Sequence, residues 1–485
     1  MTDSGSSLLR RFALIAVPAV LLLGVRLGAT AGLHLGTALS TLALDFRVVY
    51  CGAEAVRTGH DPYTVEPLRA CEHRVGQEPG EPDWAVTPLP LPGYAIALFV
   101  PLSLLPFVAA KALWALSLVL AFALAAACVA AILRAPSLGV AAIFAPTIGF
   151  GINLHYGEPV PLAIGALCAA AYALERGAYR CAVVLAVLAS VEPHVALPAI
   201  LGLALLVPQA RAPLAFALLA GAGLSLATLG VGSNLEYFTT LLPTHAQAEL
   251  LARDQFGLSR FLALAGVPAR SSLLLGSLCY ALTTAYGLIA ARRLVATFAR
   301  PAFAVLFPVA AAMLGGTFVH DVQIAAALPA AVLLAPYSPF ARIAIALLVV
   351  DWTEWWRTQA MPAVAAAAGT AAVAFPAERV RALAWLVAAP AISVVLLLAV
   401  ARVPDSPVGS ASVQRAAMVA APPGAVEALT PNDSASRAWA LRIALEPGWK
   451  EITARDVADK LPLWFALALL LIAGGSARRE RKRVI

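Results

Sequence analysis

Long runs of apolar residues, separated by short polar or proline-containing breaks, extend along most of the chain. Runs of about 17 to 25 residues have the length that a helix needs to cross about 30 Å of hydrocarbon. No stretch alternates polar and apolar residues as a barrel strand does. The pattern predicts an all-α, polytopic helical membrane protein with about 12 to 14 hydrophobic segments.

Some of the apolar segments are too short to cross a membrane on their own. These are residues 93–107 and the two halves 181–191 and 194–207, which flank a break at Glu192 and Pro193. We predict half-crossing segments, because broken backbone at membrane depth is tolerated only where it lines a cavity or is buried in protein. The pattern therefore predicts a cavity in the non-cytoplasmic leaflet, lined by several helix ends.

The composition excludes an ordinary soluble domain, because 61% of the 485 residues are hydrophobic and only 13% are charged. The net charge of +7 comes from short basic clusters between apolar runs, which in membrane proteins mark cytoplasmic loops. If these clusters, from Arg10-Arg11 to Arg478–Arg483, are cytoplasmic, both termini are cytoplasmic too. All seven histidines then fall on the extracytoplasmic side.

This topology divides the chain into three regions. Residues 1–402 form the multi-span region, in which residues 12–33 stay as an uncleaved helix and residues 34–92 form a first extracytoplasmic loop. Residues 403–460 form an extracytoplasmic loop or small subdomain, and residues 461–485 form the last span and a basic cytoplasmic tail.

Two of the six cysteines, Cys51 and Cys71, share the polar first loop. They can form a disulfide if that loop faces an oxidising compartment, but their spacing alone leaves the pairing open. The sequence has no Gly-rich phosphate loop and no metal-type Cys/His spacing. We therefore expect neither an ATP-driven transporter nor a bound metal.

The first loop carries motifs in a specific order. Asp45 follows the first span, Gly59-His60-Asp61-Pro62-Tyr63 comes next, and Thr87-Pro-Leu-Pro-Leu-Pro92 leads into an apolar run. This order resembles the polytopic mannosyltransferases that use polyprenyl-phosphate-mannose as donor, a family that includes the actinobacterial phosphatidylinositol mannoside enzymes. The resemblance covers about residues 8–340 and is closest in the first third.

The resemblance implies a GT-C-type architecture, in which residues 1–402 are the catalytic region. It implies transfer of a hexose, mannose in the first place, from a polyprenyl-phosphate donor to a glycolipid or glycan acceptor. The reaction would take place on the extracytoplasmic face of a bacterial plasma membrane, with inversion at the anomeric carbon. No cofactor is implied beside the lipid-linked sugar, and the identity of the acceptor stays open.

Sugar transfer from a lipid phosphate needs a base for the acceptor hydroxyl, and cations or hydrogen-bond donors for the leaving phosphate. Asp45 is the best candidate for the general base, with Arg47 beside it to hold it ionised or to face the phosphate. The alternative is a helix-end carboxylate paired with Arg47. His320, followed by Asp321, is a candidate donor to the phosphate, or else the polar cap of an ordinary helix.

Four further candidates for substrate binding lie at breaks between apolar runs: His155, Glu158, Glu192 and His194. Each of them can instead be a capping or packing residue. Glu192 precedes a proline where the related enzymes usually carry lysine, and a carboxylate repels a phosphate. His194, if protonated, can replace that lysine in part.

Two alternatives to a transferase stay open. Glu192 in place of lysine favours a catalytically silent homologue, which would act as a scaffold or lipid-binding subunit. A lipid or sugar transporter fits less well, because the hydropathy pattern shows no internal repeat. The charges of Arg253, Asp254 and Arg260, in a predicted loop at residues 233–270, fit solvated loop residues.

Overall fold

The computed structural model describes residues 3–31, 42–76, 82–149, 151–252, 255–316, 319–350, 352, 356–410, 413–414, 421–445 and 452–476. The basic tail Arg478–Arg483, Arg253 and Asp254, which the sequence analysis singled out, lie outside the described residues.

The described part of the chain is 78% helical and contains no strand. The α-helices are Asp3–Ala31, Phe46–Arg57, Val65–Val75, Gly93–Phe99, Phe107–Leu133, Ser137–Phe144, Ile152–Tyr156, Val160–Glu175, Tyr179–Leu188, Pro193–Leu206, Arg211–Glu236, Leu242–Ala248, Leu258–Leu264, Ala269–Phe298, Phe303–Ala312, Asp321–Ile324, Leu328–Leu334, Pro339–Leu348, Trp356–Ala374, Arg379–Ala401, Ala435–Leu445, Ala454–Ala458 and Leu461–Ser476. Single 3-10 or π turns extend several of them, as at Val100–Leu104 and Tyr237–Leu241.

The long and the short apolar helices of the structure confirm the prediction of a polytopic helical membrane protein. Within the described residues, six helices are long and apolar enough to cross a bilayer: Ser7–Val25, Phe107–Leu133, Pro208–Leu251, Ala269–Phe298, Arg379–Ala401 and Ala454–Ser476. Nine shorter apolar helices accompany them. Among these are Gly93–Leu104, Tyr179–Val191 and Pro193–Leu206, so the three segments predicted to be too short for a full crossing are indeed short.

The helix Phe107–Leu133 lies at the centre of the bundle. In the most apolar part of this helix 67% of the residues are buried. The corresponding share for Pro208–Leu251, at the periphery, is 11%. It packs closely on Val160–Glu175, where a Cβ added to Gly165 would lie 2.9 Å from the carbonyl oxygen of Ala121. Small residues permit this close approach of two helix backbones, which is the usual device of helix packing in membranes.

The first loop is a folded unit that contains two helices, Phe46–Arg57 and Val65–Val75. A disulfide between Cys51 and Cys71 joins them, with the two Cα atoms 5.6 Å apart, and this answers the question that the spacing left open. The hydroxyl of Tyr63 donates to the carbonyl of Leu91 at 2.7 Å, which ties this unit to the proline-rich stretch that follows.

Residues 421–445 pack onto the first loop. Three backbone hydrogen bonds join the two: Ala435 N–H to the carbonyl of Tyr63 (2.8 Å), Val65 N–H to the carbonyl of Asp433 (2.8 Å), and Glu66 N–H to the carbonyl of Pro431 (3.0 Å). The segment 403–460, predicted as a loop or small subdomain, is thus in contact with the beginning of the chain.

The predicted loop at residues 233–270 is largely helical in its described part, with the helices Leu242–Ala248 and Leu258–Leu264 and the end of Arg211–Glu236. The interpretation of Arg260 as a solvated charge was wrong, because this side chain is only 4% exposed. Its Nη1 donates to the carbonyl of Gln255 at 3.4 Å.

Candidate functional site

A cavity of about 560 Å³ lies where the first loop, the ends of several short helices and residues 421–445 meet. Its walls include five of the residues predicted from the sequence, which are Asp45, Glu158, Glu192, His194 and His320. These residues come from four separate places in the chain, and only the fold brings them together. A cavity of this size matches the lower range of small-molecule sites.

Asp45 is fixed by backbone contacts with the turn that contains Glu158. The N–H groups of Ala43, Leu44 and Asp45 donate in succession to the carbonyls of residues 154, 155 and 156, at 3.1, 3.1 and 2.8 Å. Asp45 also precedes the first residue of the helix Phe46–Arg57, so its position is set from both sides. The carboxylate of Asp45 therefore lies at a rigid junction and faces the cavity.

Gly157 permits this junction. It has φ +79°, in the left-handed region, and a Cβ at this position would collide with the backbone of Ala43. Its carbonyl accepts a hydrogen bond from Nε1 of Trp114 at 2.7 Å, so the turn is anchored on the central helix as well. The helix Ile152–Tyr156 ends at Gly157, and the chain reverses there because glycine adopts the left-handed conformation without strain.

Arg47 and His155 lie beside the cavity and are absent from its described lining. Arg47 is 5% exposed, and its Nη2 donates to Oγ1 of Thr87 at 3.2 Å. The ring of His155 packs edge-on against Tyr156, with 5.0 Å between the centroids. Thr87 and Tyr156 do line the cavity, so Arg47 and His155 support the wall in this structure.

Lys111 is a buried cation that the sequence analysis missed. It is the fifth residue of the helix Phe107–Leu133, is 8% exposed, and lies near enough to Asp45 and Arg47 for its charge to interact with both. Its Nζ also lies 5.8 Å from the ring centroid of Phe107. A lysine inside an apolar run is a signal that sequence reasoning can use.

The break at Glu192 comes from Pro193, which begins the helix Pro193–Leu206, while Glu192 itself is non-helical. Glu192 is 5% exposed, and its Oε2 lies 3.8 Å from Nδ1 of His194. Gln323, whose side-chain carbonyl accepts from the N–H of His320, lines the same cavity as Glu192 and His194. Two chain segments far apart in sequence therefore share one polar cluster on the cavity wall.

His320 stands at the N-terminal end of the short helix Asp321–Ile324, where its N–H donates to the side-chain carbonyl of Gln323. The predicted position at a helix end is confirmed, and His320 also lines the cavity. Behind it, Oδ2 of Asp321 lies 3.9 Å from Nζ of Lys460, which is only 2% exposed.

Other lining residues were not predicted: Tyr237, His245, Glu249, Tyr280, Gln323 and Trp439. His245 carried a signal, because it is one of the histidines that the topology placed on one side. Trp439 and Glu249 are 190 residues apart and meet only in the folded protein. No local pattern announces such a pair.

The lining combines acids and imidazoles. Of the residues that the structure describes there, five are carboxylic acids (Asp45, Glu158, Glu192, Glu249, Asp321), three are histidines, and none is lysine or arginine. Over the same described part of the chain, no group of three or more His, Cys, Asp or Glu residues is arranged to hold a metal ion. The arrangement can accept a proton at a carboxylate and donate hydrogen bonds from imidazoles to an anion.

Comparison of the chain with protein-family models, with curated proteins and with solved structures found no match. The class that the fold defines is a polytopic helical membrane protein with a cavity among its helix ends, whose largely apolar lining includes acids and imidazoles.

Proposed function

We propose that the protein is a membrane glycosyltransferase of GT-C type. It moves a hexose, for which we propose mannose, from a polyprenyl-phosphate donor to a glycan or glycolipid acceptor. The observation that carries the proposal is the convergence of Asp45, Glu158, Glu192, His194 and His320 on one cavity. These residues were selected from motifs and breaks in the sequence, and acids and imidazoles in one cavity are the group types that the proposed transfer needs.

Asp45 suits the role of general base. Its carboxylate faces the cavity, and its backbone is held by the hydrogen bond from its N–H to the carbonyl of Tyr156 at 2.8 Å. A base held in one position contributes because the proton transfer needs a heavy-atom distance of about 2.6 to 3.2 Å to the acceptor hydroxyl.

The reaction requires one displacement. Asp45 takes the proton of the acceptor hydroxyl, and the acceptor oxygen forms a bond to the anomeric carbon. The bond between that carbon and the phosphate oxygen breaks, and its electron pair leaves with the polyprenyl phosphate. His320 and His194 are placed in the same cavity to donate hydrogen bonds to this phosphate.

The disulfide supports an extracytoplasmic site. Cys51 and Cys71 lie in the loop that presents Asp45, and disulfides persist in oxidising compartments. Together with the distribution of basic clusters, the disulfide supports the proposal that the cavity opens on the outer face of a bacterial plasma membrane, with cytoplasmic termini.

A direct test is transfer of radiolabelled mannose from polyprenyl-phosphate-mannose to a lipid extract of the host, with purified full-length protein. We expect Asp45→Asn to fold normally and to lose at least about a hundredfold in transfer, because the amide keeps the shape and removes the base. The matched control is Asp405→Asn, which makes the same change at an exposed carboxylate outside the cavity.

Three results separate the alternatives. Transfer by the wild type and by Asp405→Asn, but not by Asp45→Asn, supports both the class and the base. Near-normal turnover in Asp45→Asn contradicts the assignment of the base. Binding of donor without transfer to any acceptor favours the silent homologue, which the buried carboxyl of Glu192 beside His194 keeps as the second candidate.

A further inference from the structure

One part of the cavity wall has no role in the proposed chemistry. It consists of Trp439, on the helix Ala435–Leu445, and of Glu249 with His245, four residues apart on a helical stretch. Nε1 of Trp439 donates a hydrogen bond to Oε1 of Glu249, and Glu249 is only 6% exposed. A buried carboxyl group and an indole ring therefore stand side by side on one wall.

Contacts other than this pair also hold residues 421–445. The three backbone hydrogen bonds between residues 63–66 and 431–435 hold the segment on the first loop. Trp439 is thus an addition to a segment that is already attached. Its position in the lining favours a role toward whatever occupies the cavity.

The plane of the indole ring is fixed by two contacts. Its N–H is held by Glu249, and the guanidinium carbon of Arg442 lies over one face of the ring, 4.8 Å from the centroid, so a sugar would stack on the opposite face. A fixed aromatic ring beside a buried carboxyl group fits a pyranose, because a sugar ring presents C–H groups to the negative face of an aromatic ring and hydroxyls to a carboxylate. A bare lipid chain needs no carboxyl group at this place.

We propose that Trp439 and Glu249 form a subsite for a pyranose ring of the acceptor. The acceptor is then a saccharide-bearing molecule, in contrast to a protein hydroxyl or an unglycosylated lipid. The inference rests on the proposed function, because only a transferase makes this sugar an acceptor. The segment 421–445, which closes the cavity from the C-terminal part of the chain, determines acceptor choice while the first loop presents the base.

The test measures binding of methyl α-D-mannopyranoside to the purified full-length protein by saturation-transfer NMR titration. We expect Trp439→Leu to raise the Kd about tenfold, because the stacking face is lost. Trp439→Phe keeps an aromatic face without the N–H, so its Kd should stay within about threefold of the wild type. The matched control is Arg437→Ala, on the same helix, whose Nη1 pairs with Asp433 at 2.8 Å outside the cavity.

A purely structural pair behaves differently, since Trp439→Phe removes the hydrogen bond to Glu249 as completely as Trp439→Leu does. Equal losses in both variants, an unchanged Kd in Trp439→Leu, or no binding by the wild type would each overturn the subsite. Glu249→Gln adds an independent variant, because the amide still accepts from the indole N–H, and we expect weaker sugar binding without a lower unfolding temperature.

A parallel titration with polyprenyl monophosphate distinguishes this inference from the proposed function. If the donor binds and the Kd for the sugar does not change in the Trp439 variants, the subsite is contradicted and the proposed transferase is not. If sugar binding depends on Trp439 but the wild type does not bind the donor, the saccharide site is supported and the proposed transferase is contradicted.

Discussion

Gly157 links the fold to the proposed base, and Gly157→Ala tests that link. An alanine at φ +79° costs about 1 to 2 kcal/mol, because the Cβ crowds the chain in the left-handed region. At this position the Cβ would in addition collide with the backbone of Ala43, so one of the two chain segments that meet there must move.

That movement disturbs the three backbone hydrogen bonds from Ala43, Leu44 and Asp45, each worth about 1 kcal/mol. If all three bonds are lost, the total is about 4 to 5 kcal/mol of local stability. Since Asp45 belongs to the junction, its carboxylate moves too, and a displacement of about 1 Å can reduce turnover about a hundredfold.

Gly177→Ala is the matched control. Gly177 also has a positive φ, +70°, but a Cβ there meets only the hydroxyl oxygen of Tyr179, at 4.0 Å. The control bears the left-handed penalty of about 1 to 2 kcal/mol and no collision. The assay is the unfolding temperature of detergent-purified protein, followed by mannose transfer. Equal unfolding temperatures and equal transfer in the two variants would refute the reasoning, because the contact with Ala43 would then carry no weight.

Two further predictions concern the packing of the outer segments. Replacing Cys51 and Cys71 by serine should cost about 3 kcal/mol, because the disulfide spans 20 residues of sequence, and tryptic cleavage of the first loop should become faster; unchanged cleavage would contradict this. Hydrogen bonds from the N–H and hydroxyl of Thr430, with the Arg437 guanidinium, lower the pKa of Asp433. Its stabilising contribution is therefore present above the ordinary carboxyl pKa and is lost as the pH falls through the lowered one. The difference in unfolding temperature between wild type and Asp433→Asn should shrink as the pH falls through the lowered pKa of Asp433. A difference independent of pH would argue against a stabilising role of the contacts with Thr430 and Arg437.

The sequence located the polar residues at helix breaks well. Glu192, His194 and His320 interrupt or flank apolar runs, where a polar side chain is costly unless it faces a cavity or a partner. Those same breaks end the helices, so a residue that interrupts an apolar run is placed at a helix end. The three residues line one cavity for that reason.

Arg47 illustrates what the sequence could not decide. It stands two residues after Asp45, and side chains at this spacing in a helix do not share a face. Val48 and Val49 turn toward the cavity, while Arg47 reaches Thr87 in the proline-rich stretch. Proximity in sequence suggested a direct role in the cavity, but Arg47 is not among the described lining residues, and its guanidinium donates to Thr87 in the wall.

The contribution of Trp439 to the cavity wall could not be predicted from the sequence, for a different reason. Trp439 reaches Glu249 across 190 residues, and the segment that carries it is held by backbone hydrogen bonds to residues 63–66. Backbone pairing between two irregular segments leaves no side-chain pattern. Its prediction would need the docked arrangement itself.

For the phosphate of the proposed donor, the buried cations around the cavity would offset part of the negative charge of the lining. The basic side chains stand one layer behind the wall: Lys111 and Arg47 near Asp45, and Lys460 at 3.9 Å from Asp321. Lys111, Arg47 and Lys460 are each at most 8% exposed, so solvent screens these charges little. They offset the carboxylates from behind and leave the imidazoles of His194 and His320 at the surface of the cavity. A phosphate in the cavity would then contact hydrogen-bond donors directly, while the field that attracts it comes from cations it does not touch.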